Sequence, residues 1–371
     1  MKVVLFCHSL ASCWNHGNAH FLRGVARELV ARGHELRVLE PADGWSRSSL
    51  VAEQGIAALG AWREVYPELE TTAWRTLTEL DAALDGADLV LVHEWSPPEL
   101  VRVVGRRRAQ GAPFVLLFHD THHRAVTAPG AIGGELLDGY DGVLAFGACL
   151  RERYLAAGWA ERVWVWHEAA DTTHFRPRPK VGQSDDLVWI GNWGDGERSL
   201  ELRRFLVEPV ARLQLRGSVH GVRYPETALA ELAAAGIRHR GWLPNHEVPT
   251  AFAGARVTVH VPRRPYTEVL PGIPTIRVFE ALACGIPLVC APWRDSEGLF
   301  PTDAFLRAPD GEEMTRQLRA VLVDADLRRH LIATGIAAIQ ARHTCAHRVD
   351  ELLAIHDAIR GEGEEERRAC A

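Results

Sequence analysis

Short apolar runs alternate with longer helical stretches along this chain, and the pattern occurs twice. The first series comprises VVLFCH (3–8), ELRVLEP (35–41), DLVLVHE (88–94), FVLLFHD (114–120), GVLAFG (142–147) and VWVWHEA (163–169). The second comprises DLVWIGN (186–192), GSVHGV (217–222), RVTVHVP (256–262) and PLVCAP (287–292). Largely uninterrupted apolar runs are typical of parallel strands covered by helices on both faces. The pattern therefore predicts an α/β fold.

The two series are separated by TTHFRPRPKVGQSDD (172–186), a proline-rich polar segment without apolar periodicity. A chain of 371 residues is about long enough for two domains. We therefore predict two Rossmann-like, doubly wound parallel-sheet domains that face each other across a cleft. The predicted bounds are an N-terminal domain 1–175, a C-terminal domain 176–341, a C-terminal helix 342–360 and a charged, disordered tail 361–371.

Composition and charge exclude several classes of protein. The formal net charge is −6, so the chain lacks the basic balance that a nucleic-acid partner favours. The apolar run after Met1 and Lys2 is too short for a secretory signal or a membrane span. The seven cysteines are scattered without a C-x-x-C pair, which indicates neither a disulfide framework nor a zinc site. We predict a cytoplasmic protein with no nucleic-acid partner, no transmembrane segment and no metal.

Ligands of open parallel sheets lie beyond the carboxyl ends of the strands, so the residues after each run are candidates. After the first run, His16, Gly17 and Asn18 precede a helix. Glycine lets a backbone approach a ligand, and a helix N-terminus favours anions. These residues indicate a ligand-binding loop. The alternative is that His16 or Asn18 only caps the helix.

A group of polar residues follows the fourth run in HDTHHRAV (119–126). His119 and Asp120 are the candidate catalytic residues, because histidine can orient a hydroxyl or assist proton transfer near neutral pH. Two other interpretations stay open. The histidines can be hydrogen-bonded parts of a cleft wall, or they can bind a metal, although no spaced carboxylate or cysteine set completes such a site.

Cationic residues follow the runs of the second series. The glycine-rich loop WIGNWGDGERS (189–199) contains Asn192 and Arg198, and Arg223 and Arg263 follow two later runs. Arginine at such an edge suits a pyrophosphate, which it can contact with two N–H groups. The alternatives are a plain turn for the glycines and surface ion pairs for the arginines.

The segment GIPTIRVFEALACGIPLVCAP (272–292) combines a proline–glycine break, a helix start and a buried run. Thr275, Ile276 and Arg277 would supply free N–H groups at the first helical turn, where the helix dipole also favours a diphosphate. Glu280 would point to the same edge, where its carboxylate can accept hydrogen bonds from the two hydroxyls of a ribose. The alternative is a glutamate that only complements the helix dipole.

These motifs resemble those of glycosyltransferases with the GT-B fold, of the group 1 or family 4 type. FEALACGIPLV (279–289) resembles their donor-nucleotide motif, and HEAADTTHFRP (167–177) resembles the segment that crosses between their domains. RHTCAHRVDELLAI (342–355) resembles their C-terminal helix, which packs back on the first domain. SEGLF (296–300) and the WIGNW stretch are closer to the spore-maturation CgeB-like branch.

The resemblance assigns roles to individual residues. It implies that Glu280 holds the donor ribose and that the amides of Thr275 and Ile276 meet the pyrophosphate. It also implies that His119 lies near the transferred sugar, and that the loop His16, Gly17 and Asn18 closes on the donor phosphates. One position departs from the family: the first glutamate of its pair, eight positions before Glu280, falls on Gly272.

Taken together, the resemblance implies a hexosyltransferase-like enzyme without a permanently bound cofactor. The C-terminal domain would bind a nucleoside-diphosphate sugar of the UDP, GDP or TDP type, and the N-terminal domain would bind an unknown hydroxyl-bearing acceptor. The resemblance also implies that transfer retains the anomeric configuration. We expect transfer to be independent of metal, because helix N-terminal amides and arginines would stabilise the leaving diphosphate. Two alternatives stay open, a non-catalytic nucleotide-sugar binding protein and a sugar-nucleotide epimerase on the same fold.

Overall fold

The computed structural model of the chain describes residues 1–180, 182, 185–194 and 196–369, with side chains as far as residue 363. These residues form two compact units. Unit 1 consists of Met1–Glu168 together with Cys345–Ala371, and unit 2 is Ala169–Thr344. Residues 181, 183 and 184 of the predicted linker lie outside the described residues.

Unit 2 begins upstream of the predicted domain boundary at residues 175 and 176. Ala170 forms a parallel bridge with Thr344, and the Ala170 N–H donates to the carbonyl of His343 at 2.9 Å. These contacts tie the start of unit 2 to its end. The change of unit therefore falls at Glu168 rather than in the proline-rich segment, which unit 2 contains.

Unit 1 contains a seven-stranded sheet in which every strand pair is parallel. The strands lie in the order β3-β2-β1-β4-β5-β6-β7. Their bounds are β1 Lys2–Phe6, β2 Glu35–Pro41, β3 Thr72–Trp74, β4 Leu89–His93, β5 Val115–Asp120, β6 Gly142–Ala145 and β7 Val163–Val165. Six of them match the predicted runs. Sequence reasoning missed β3, because three residues are too few to show a period.

The helices of unit 1 connect these parallel strands, as parallel pairing requires. Their bounds are α1 Ala19–Ala31, α2 Trp45–Gln54, α3 Leu80–Leu84, α4 Pro98–Ala109, α5 Arg124–Thr127 and α6 Ala148–Ala156. Helix α1 buries an apolar face that includes Phe21, Leu22, Val25 and Leu29. Strands β4 and β5 are buried along their whole length. The core of unit 1 therefore lies on both sides of its central strands.

Unit 2 contains a second parallel sheet, with six strands in the order β10-β9-β8-β11-β12-β13. The bounds are β8 Asp185–Ile190, β9 Gly217–His220, β10 Ile237–His239, β11 Ala255–His260, β12 Leu288–Cys290 and β13 Leu306–Arg307. Four strands match the predicted runs, and the short edge strands β10 and β13 were missed. The predicted α/β class with two Rossmann-like parallel-sheet domains is confirmed.

The helices of unit 2 are mostly short. Their bounds are α7 Ser199–Leu202, α8 Glu208–Leu213, α9 Glu226–Ala234, α10 Val248–Ala253, α11 Arg264–Glu268, α12 Ile276–Cys284, α13 Gly311–Val323 and α14 Ala325–Arg342. A π-helical turn, Arg203–Val207, separates α7 from α8. Helices α13 and α14 are separate, because Asp324 accepts hydrogen bonds from the amides of Asp326 and Leu327 and so starts a new helix.

The last helix, α15, spans Cys345–Ala369 and belongs to unit 1. It is anchored there by the carbonyl of Arg348, which accepts a 2.8 Å hydrogen bond from the Trp166 indole. The helix extends into the segment 361–371 that we expected to be disordered, since glutamate and arginine are good helix formers. Residues 370 and 371 of that segment lie outside the described residues. No helix within the described ranges is long and apolar enough to cross a membrane.

A buried carboxylate organises the loop that follows β1. Glu40, on β2, has no exposed surface and accepts hydrogen bonds from the Ser9 hydroxyl and the Leu10 amide, both at 2.8 Å. It also accepts from the Ala11 amide at 3.1 Å and pairs with Arg47 at 2.8 Å. The loop is therefore wrapped around one side chain of the neighbouring strand.

We predict that Glu40→Ala destabilises unit 1 by about 3–5 kcal/mol, because it leaves several buried donors and a guanidinium without their acceptor. Calorimetry would show a large fall in the unfolding midpoint. Glu35→Ala is the matched control on the same strand, since its side chain is 58% exposed and pairs with the exposed side chain of Arg37. That variant is expected to lose less than about 1 kcal/mol. Equal losses in the two variants would contradict the role of Glu40.

Candidate functional site

Arg198 is the central cation at the carboxyl edge of the unit 2 sheet. Its Nη2 donates to the backbone and side-chain oxygens of Asn192 at 2.8 and 3.0 Å. Its Nη1 donates to the carbonyl of Val261 at 3.0 Å, and the guanidinium lies 5.0 Å from the ring of Trp189. Arg198 therefore joins the loop after β8 to the end of β11.

The glycines of the same loop make room for this guanidinium. A Cβ at Gly194, whose φ is +93°, would lie 2.6 Å from Arg198 Cγ, and one at Gly191 would lie 3.1 Å from its Nη2. Burial lowers the pKa of Arg198 to about 9, and the nearby Arg263 and Arg277 add to the effect. Its Nε is buried and makes no hydrogen bond to any described residue. The loop thus holds a charged, partly unsatisfied donor.

Arg263 lies beside Arg198 and shares its partner. Arg263 Nη2 donates to Asn192 Oδ1 at 3.0 Å, and its Nη1 pairs with Glu197. The backbone N–H of Arg264 donates to the carbonyl of Glu197 at 3.0 Å. The structure therefore brings together three predicted residues, Asn192, Arg198 and Arg263. Asn192 acts as the acceptor that orients the two arginines.

Arg223, the fourth predicted donor-binding residue of these loops, is placed differently. It is exposed and has a φ of +61°, in the left-handed region. Its neighbour Tyr224 donates a 2.8 Å hydrogen bond to the carbonyl of Gly191. The backbone after β9 is thus fixed to the Arg198 loop, but the Arg223 side chain itself is directed to the surface.

Helix α12 begins as the sequence predicted, with Thr275 preceding its first residue, Ile276. Thr275 is extended, with φ −83° and ψ 162°, and its side chain makes no capping hydrogen bond. The Thr275 hydroxyl lies instead 3.1 Å from Nε2 of His260. The first turn of the helix is therefore left uncapped by a side chain, which suits an anion.

Glu280 lies on the second turn of α12 and has no exposed surface. Its carboxylate pairs with Arg277, one turn earlier, whose side chain is 24% exposed. A fully buried carboxylate needs such a partner, because its desolvation would otherwise be costly. In the described structure, Glu280 is thus the fully buried member of the pair and Arg277 is the partly exposed one.

Gly272 has a structural reason to be glycine. Its φ is +91°, and a Cβ there would lie 2.3 Å from the hydroxyl of Ser296 and 3.3 Å from a carboxylate oxygen of Glu297. A glutamate at this position would need both a strained backbone and a displaced neighbour. The departure from the family pattern is therefore built into the fold of this loop.

In unit 1, His16, Gly17 and Asn18 lie between β1 and α1, as predicted. Asn18 immediately precedes α1 but makes no side-chain capping hydrogen bond. Its Nδ2 donates instead to a carboxylate oxygen of Glu168 at 2.6 Å. The interpretation of Asn18 as a simple cap is therefore wrong. His16 is buried, and its Nε2 makes no hydrogen bond to any described residue.

His119 and Asp120 end strand β5 and have different surroundings. The His119 ring is 1% exposed and lies 4.7 Å from the ring of Trp166 and 5.2 Å from that of His93. Neither of its ring nitrogens is hydrogen-bonded within the described part of the chain. Asp120 accepts hydrogen bonds from the Tyr154 hydroxyl at 2.7 Å and the His122 amide at 3.0 Å. Burial raises the pKa of Asp120 to about 6.

His119 belongs to a row of buried imidazoles that sequence reasoning did not recognise as a group. Ring centroids are 5.2 Å apart between His119 and His93, 6.3 Å between His93 and His16, and 5.3 Å between His16 and His8. Burial lowers the pKa of His8 to about 4 and that of His119 to about 3. It also lowers the pKa of His16 and His93, so these four imidazoles are neutral at pH 7.

Tryptophans cover the outer end of this row. The ring of His8 stacks on Trp45 at 4.5 Å, and Trp45 lies 6.3 Å from Trp95. Trp45 is 40% exposed. Arg124 lies 4.5 Å from the Trp95 ring and 3.6 Å from the Glu94 carboxylate. Unit 1 thus has an aromatic surface, formed by Trp45 and Trp95, that packs against the row of neutral imidazoles at His8. Among the described residues, no group of three histidine, cysteine or acidic side chains is arranged to hold a metal ion.

We predict that His119→Phe reduces the acid sensitivity of the protein. The folded imidazole has a pKa of about 3, below the unfolded value of about 6.5, so only the unfolded state gains a proton between these values. The contribution of His119 to the free energy of unfolding is therefore fully present above pH ~6.5. Below that pH it falls by about 1.4 kcal/mol per pH unit.

Unfolding free energies at pH 7 and pH 5 test this prediction. Relative to wild type, His119→Phe is expected to gain about 2 kcal/mol on going from pH 7 to pH 5. Parallel stability curves for the two proteins would show that His119 is protonated equally in the folded and unfolded states.

Solved structures with the same fold cover nearly the whole chain. Sucrose-phosphate synthase from Thermosynechococcus elongatus matches with a TM-score of 0.68 and 14% identity, over 98% of this chain and 100% of that one. Anabaena HepE in complex with UDP and glucose matches with a TM-score of 0.68 and 14% identity, over 96% of this chain and 100% of that one. A glycosyltransferase from Rickettsia africae matches with a TM-score of 0.67 and 10% identity, over 96% of this chain and 98% of that one. At these identities the likeness shows the fold alone.

Two family models match separate parts of the chain. The model described as Glycosyltransferase Family 4 matches residues 16–174, and the one described as Glycosyl transferase-like matches residues 198–354. No curated protein sequence matches the chain. The first matched segment lies mostly in unit 1, and the second lies mostly in unit 2 and continues into the start of α15. By its family domains and its GT-B fold, the chain is an enzyme of the glycosyltransferase type.

Proposed function

We propose that the protein transfers a sugar from a nucleoside-diphosphate donor to a hydroxyl-bearing acceptor. The observation that carries this proposal is the carboxyl edge of the unit 2 sheet. There the uncapped start of α12 and the paired guanidinium groups of Arg198 and Arg263 supply donors suited to a diphosphate. Anabaena HepE, which shares the fold, has been solved with UDP and glucose and with UDP-glucose.

The diphosphate would be bound by backbone and side-chain donors of unit 2. The amides of Thr275 and Ile276 lie at the positive end of the helix dipole, and Arg198 contributes a buried charge. Preorganised donors of this kind stabilise the negative charge that develops on the leaving diphosphate. Arg223, which is exposed after β9, would add a further cation.

Glu280 remains the proposed acceptor for the ribose hydroxyls. Its carboxylate pairs with Arg277 in the described structure, and Arg277 is the more exposed member of the pair. On donor binding, the guanidinium would turn to the phosphates and leave the carboxylate to the ribose. Each of the two charged groups would then exchange one partner for another, so neither would be left unpaired.

Unit 1 would bind the acceptor. Its aromatic surface at Trp45 and Trp95 offers stacking area, and its neutral imidazoles offer hydrogen bonds without charge. His119 would help to orient the acceptor hydroxyl rather than act as a general acid, because its pKa of about 3 keeps it neutral. Asp120 would position the following histidines through the His122 amide. The loop His16, Gly17 and Asn18 would contact the donor phosphates.

We propose that transfer retains the anomeric configuration, as the family resemblance implies, and that it needs no divalent metal. The amides and arginines of unit 2 support the second point, because they can take over the charge stabilisation that a metal would otherwise supply. The CgeB-like branch is the proposed subgroup, on the sequence likeness of SEGLF (296–300). The proposed location is the cytoplasm.

A non-catalytic nucleotide-sugar binding protein is the second candidate. It is favoured by Gly272, where the family's first glutamate would be strained. Such a protein would bind the nucleotide sugar but would neither transfer the sugar nor release the diphosphate. Product analysis with a bound donor therefore separates the two candidates.

We predict that one nucleoside diphosphate among UDP, GDP, TDP, ADP and CDP stabilises the protein against heat. At a hundredfold excess over Kd, the ligand adds about 2.7 kcal/mol to the free energy of unfolding. Glu280→Gln is expected to weaken this binding by about tenfold or more, because it removes the charged acceptor for the ribose. Thermal shift and calorimetric titration measure both effects.

Glu312→Gln is the matched control, since Glu312 is exposed in the first turn of α13. It is expected to bind the nucleotide as wild type does. If Glu280→Gln lowered the melting temperature of the free protein while its affinity stayed at the wild-type level, the ribose role would be wrong. If none of the five nucleotides bound at millimolar concentration, the proposed function would be contradicted.

We predict that EDTA leaves donor turnover largely unchanged. The measurement is release of the nucleoside diphosphate from the nucleotide sugar, with and without chelator, after the donor base has been identified. Activity that disappears with EDTA and returns with Mg²⁺ or Mn²⁺ would show that a cation, not the amides and arginines, stabilises the leaving group.

A further inference from the structure

His260 connects two strand ends of unit 2 to the start of α12. Its Nδ1 lies 3.1 Å from Cys290 Sγ, and its Nε2 lies 3.1 Å from Thr275 Oγ1. His260 is the last residue of β11 and Cys290 is the last residue of β12. All three side chains therefore lie at the sheet edge to which the proposed function assigns the donor diphosphate.

The contact with His260 changes what Thr275 does. A threonine that precedes a helix ordinarily accepts a hydrogen bond from a first-turn N–H and so caps the helix. Thr275 has the extended backbone of such a residue, but its side chain makes no capping bond. The hydroxyl is directed to the imidazole instead of to a first-turn amide, and the Val278 N–H donates to the backbone carbonyl of Thr275 at 3.0 Å. The amides of the residues before Val278 are therefore the ones that an anion would meet.

The direction of the hydrogen bonds follows from the protonation states. Burial, together with the charge of Arg198, lowers the pKa of His260 to about 3, so the ring carries a single N–H. Burial raises the pKa of the Cys290 thiol to about 12, so the thiol keeps its proton. The thiol can then donate to Nδ1, and Nε2–H can donate to the Thr275 oxygen. In this order the Thr275 proton is available to an acceptor beyond the hydroxyl.

We propose that His260 is a positioning residue that orients the Thr275 hydroxyl toward a phosphate oxygen of the donor. Cys290 holds the imidazole in place through its Nδ1. The inference rests on the proposed function and deepens it. Thr275 contacts the ligand through its hydroxyl as well as its amide, and His260 acts only through Thr275. Each donor in the series polarises the next, which strengthens the last hydrogen bond to the anion.

A double-mutant cycle tests this inference. Thr275→Val removes the hydroxyl at nearly constant shape, and His260→Phe removes both ring nitrogens but keeps a planar ring. Calorimetric titration uses whichever of UDP, GDP, TDP, ADP and CDP binds wild type most tightly. Each single variant is expected to bind about tenfold more weakly. The double variant is expected to bind no more weakly than Thr275→Val, because His260 has no effect once the hydroxyl is absent.

Two further measurements separate positioning from packing. His260→Gln places an amide nitrogen near the position of Nε2, and it is expected to recover part of the lost affinity. The nucleoside without phosphates is expected to bind all variants equally. His220→Phe is the matched control, since His220 is the last residue of β9, which β8 separates from β11 in the same sheet, and it is expected to bind the diphosphate as wild type does.

Additive losses in the double variant, or an equal loss of affinity for the nucleoside, would show that His260 acts on packing and would overturn the inference. A wild-type protein that binds none of the five diphosphates gives a different result. That result contradicts the proposed function before any variant is compared, and the inference fails with it.

Discussion

Parallel pairing of the strands is the constraint on which the rest of the structure depends. Every strand pair in the two sheets is parallel, so the carboxyl ends of neighbouring strands share one edge. In unit 2 this edge brings Arg198 to the end of β11 and Thr275 to His260. In unit 1 it brings His93 to His119. Residues that are distant in sequence become one site because each follows a strand of the same sheet.

Desolvation then gives the two edges different chemistry. The buried imidazoles of unit 1 are neutral, because burial lowers the pKa of His8 to about 4 and that of His119 to about 3. In unit 2, burial also lowers the pKa of Arg198, but a value of about 9 leaves the guanidinium charged at pH 7. One edge is suited to a neutral polar ligand and the other to an anion. This difference supports the proposed division between acceptor and donor.

The sequence predicted the fold well, because uninterrupted apolar runs directly reflect burial on both faces of a sheet. It failed for β3, β10 and β13, which are too short for a period to appear. It also predicted Arg198, Arg263 and Asn192 as candidates, since each follows a strand. It could not predict that Asn192 orients the two arginines, that Arg277 holds Glu280, or that His260 holds Thr275. These contacts depend on side-chain directions that residue spacing does not determine.

The central claim is that the carboxyl edge of unit 2 binds a nucleoside diphosphate. Hydrogen–deuterium exchange with and without the bound nucleotide tests it most directly, because backbone amides at the start of α12 would become hydrogen-bonded to phosphate. The account predicts slower exchange in residues 275–277 and in the loop 191–198, with the strands of unit 1 unchanged. Unchanged exchange in both of these segments, with protection elsewhere in the chain, would contradict it.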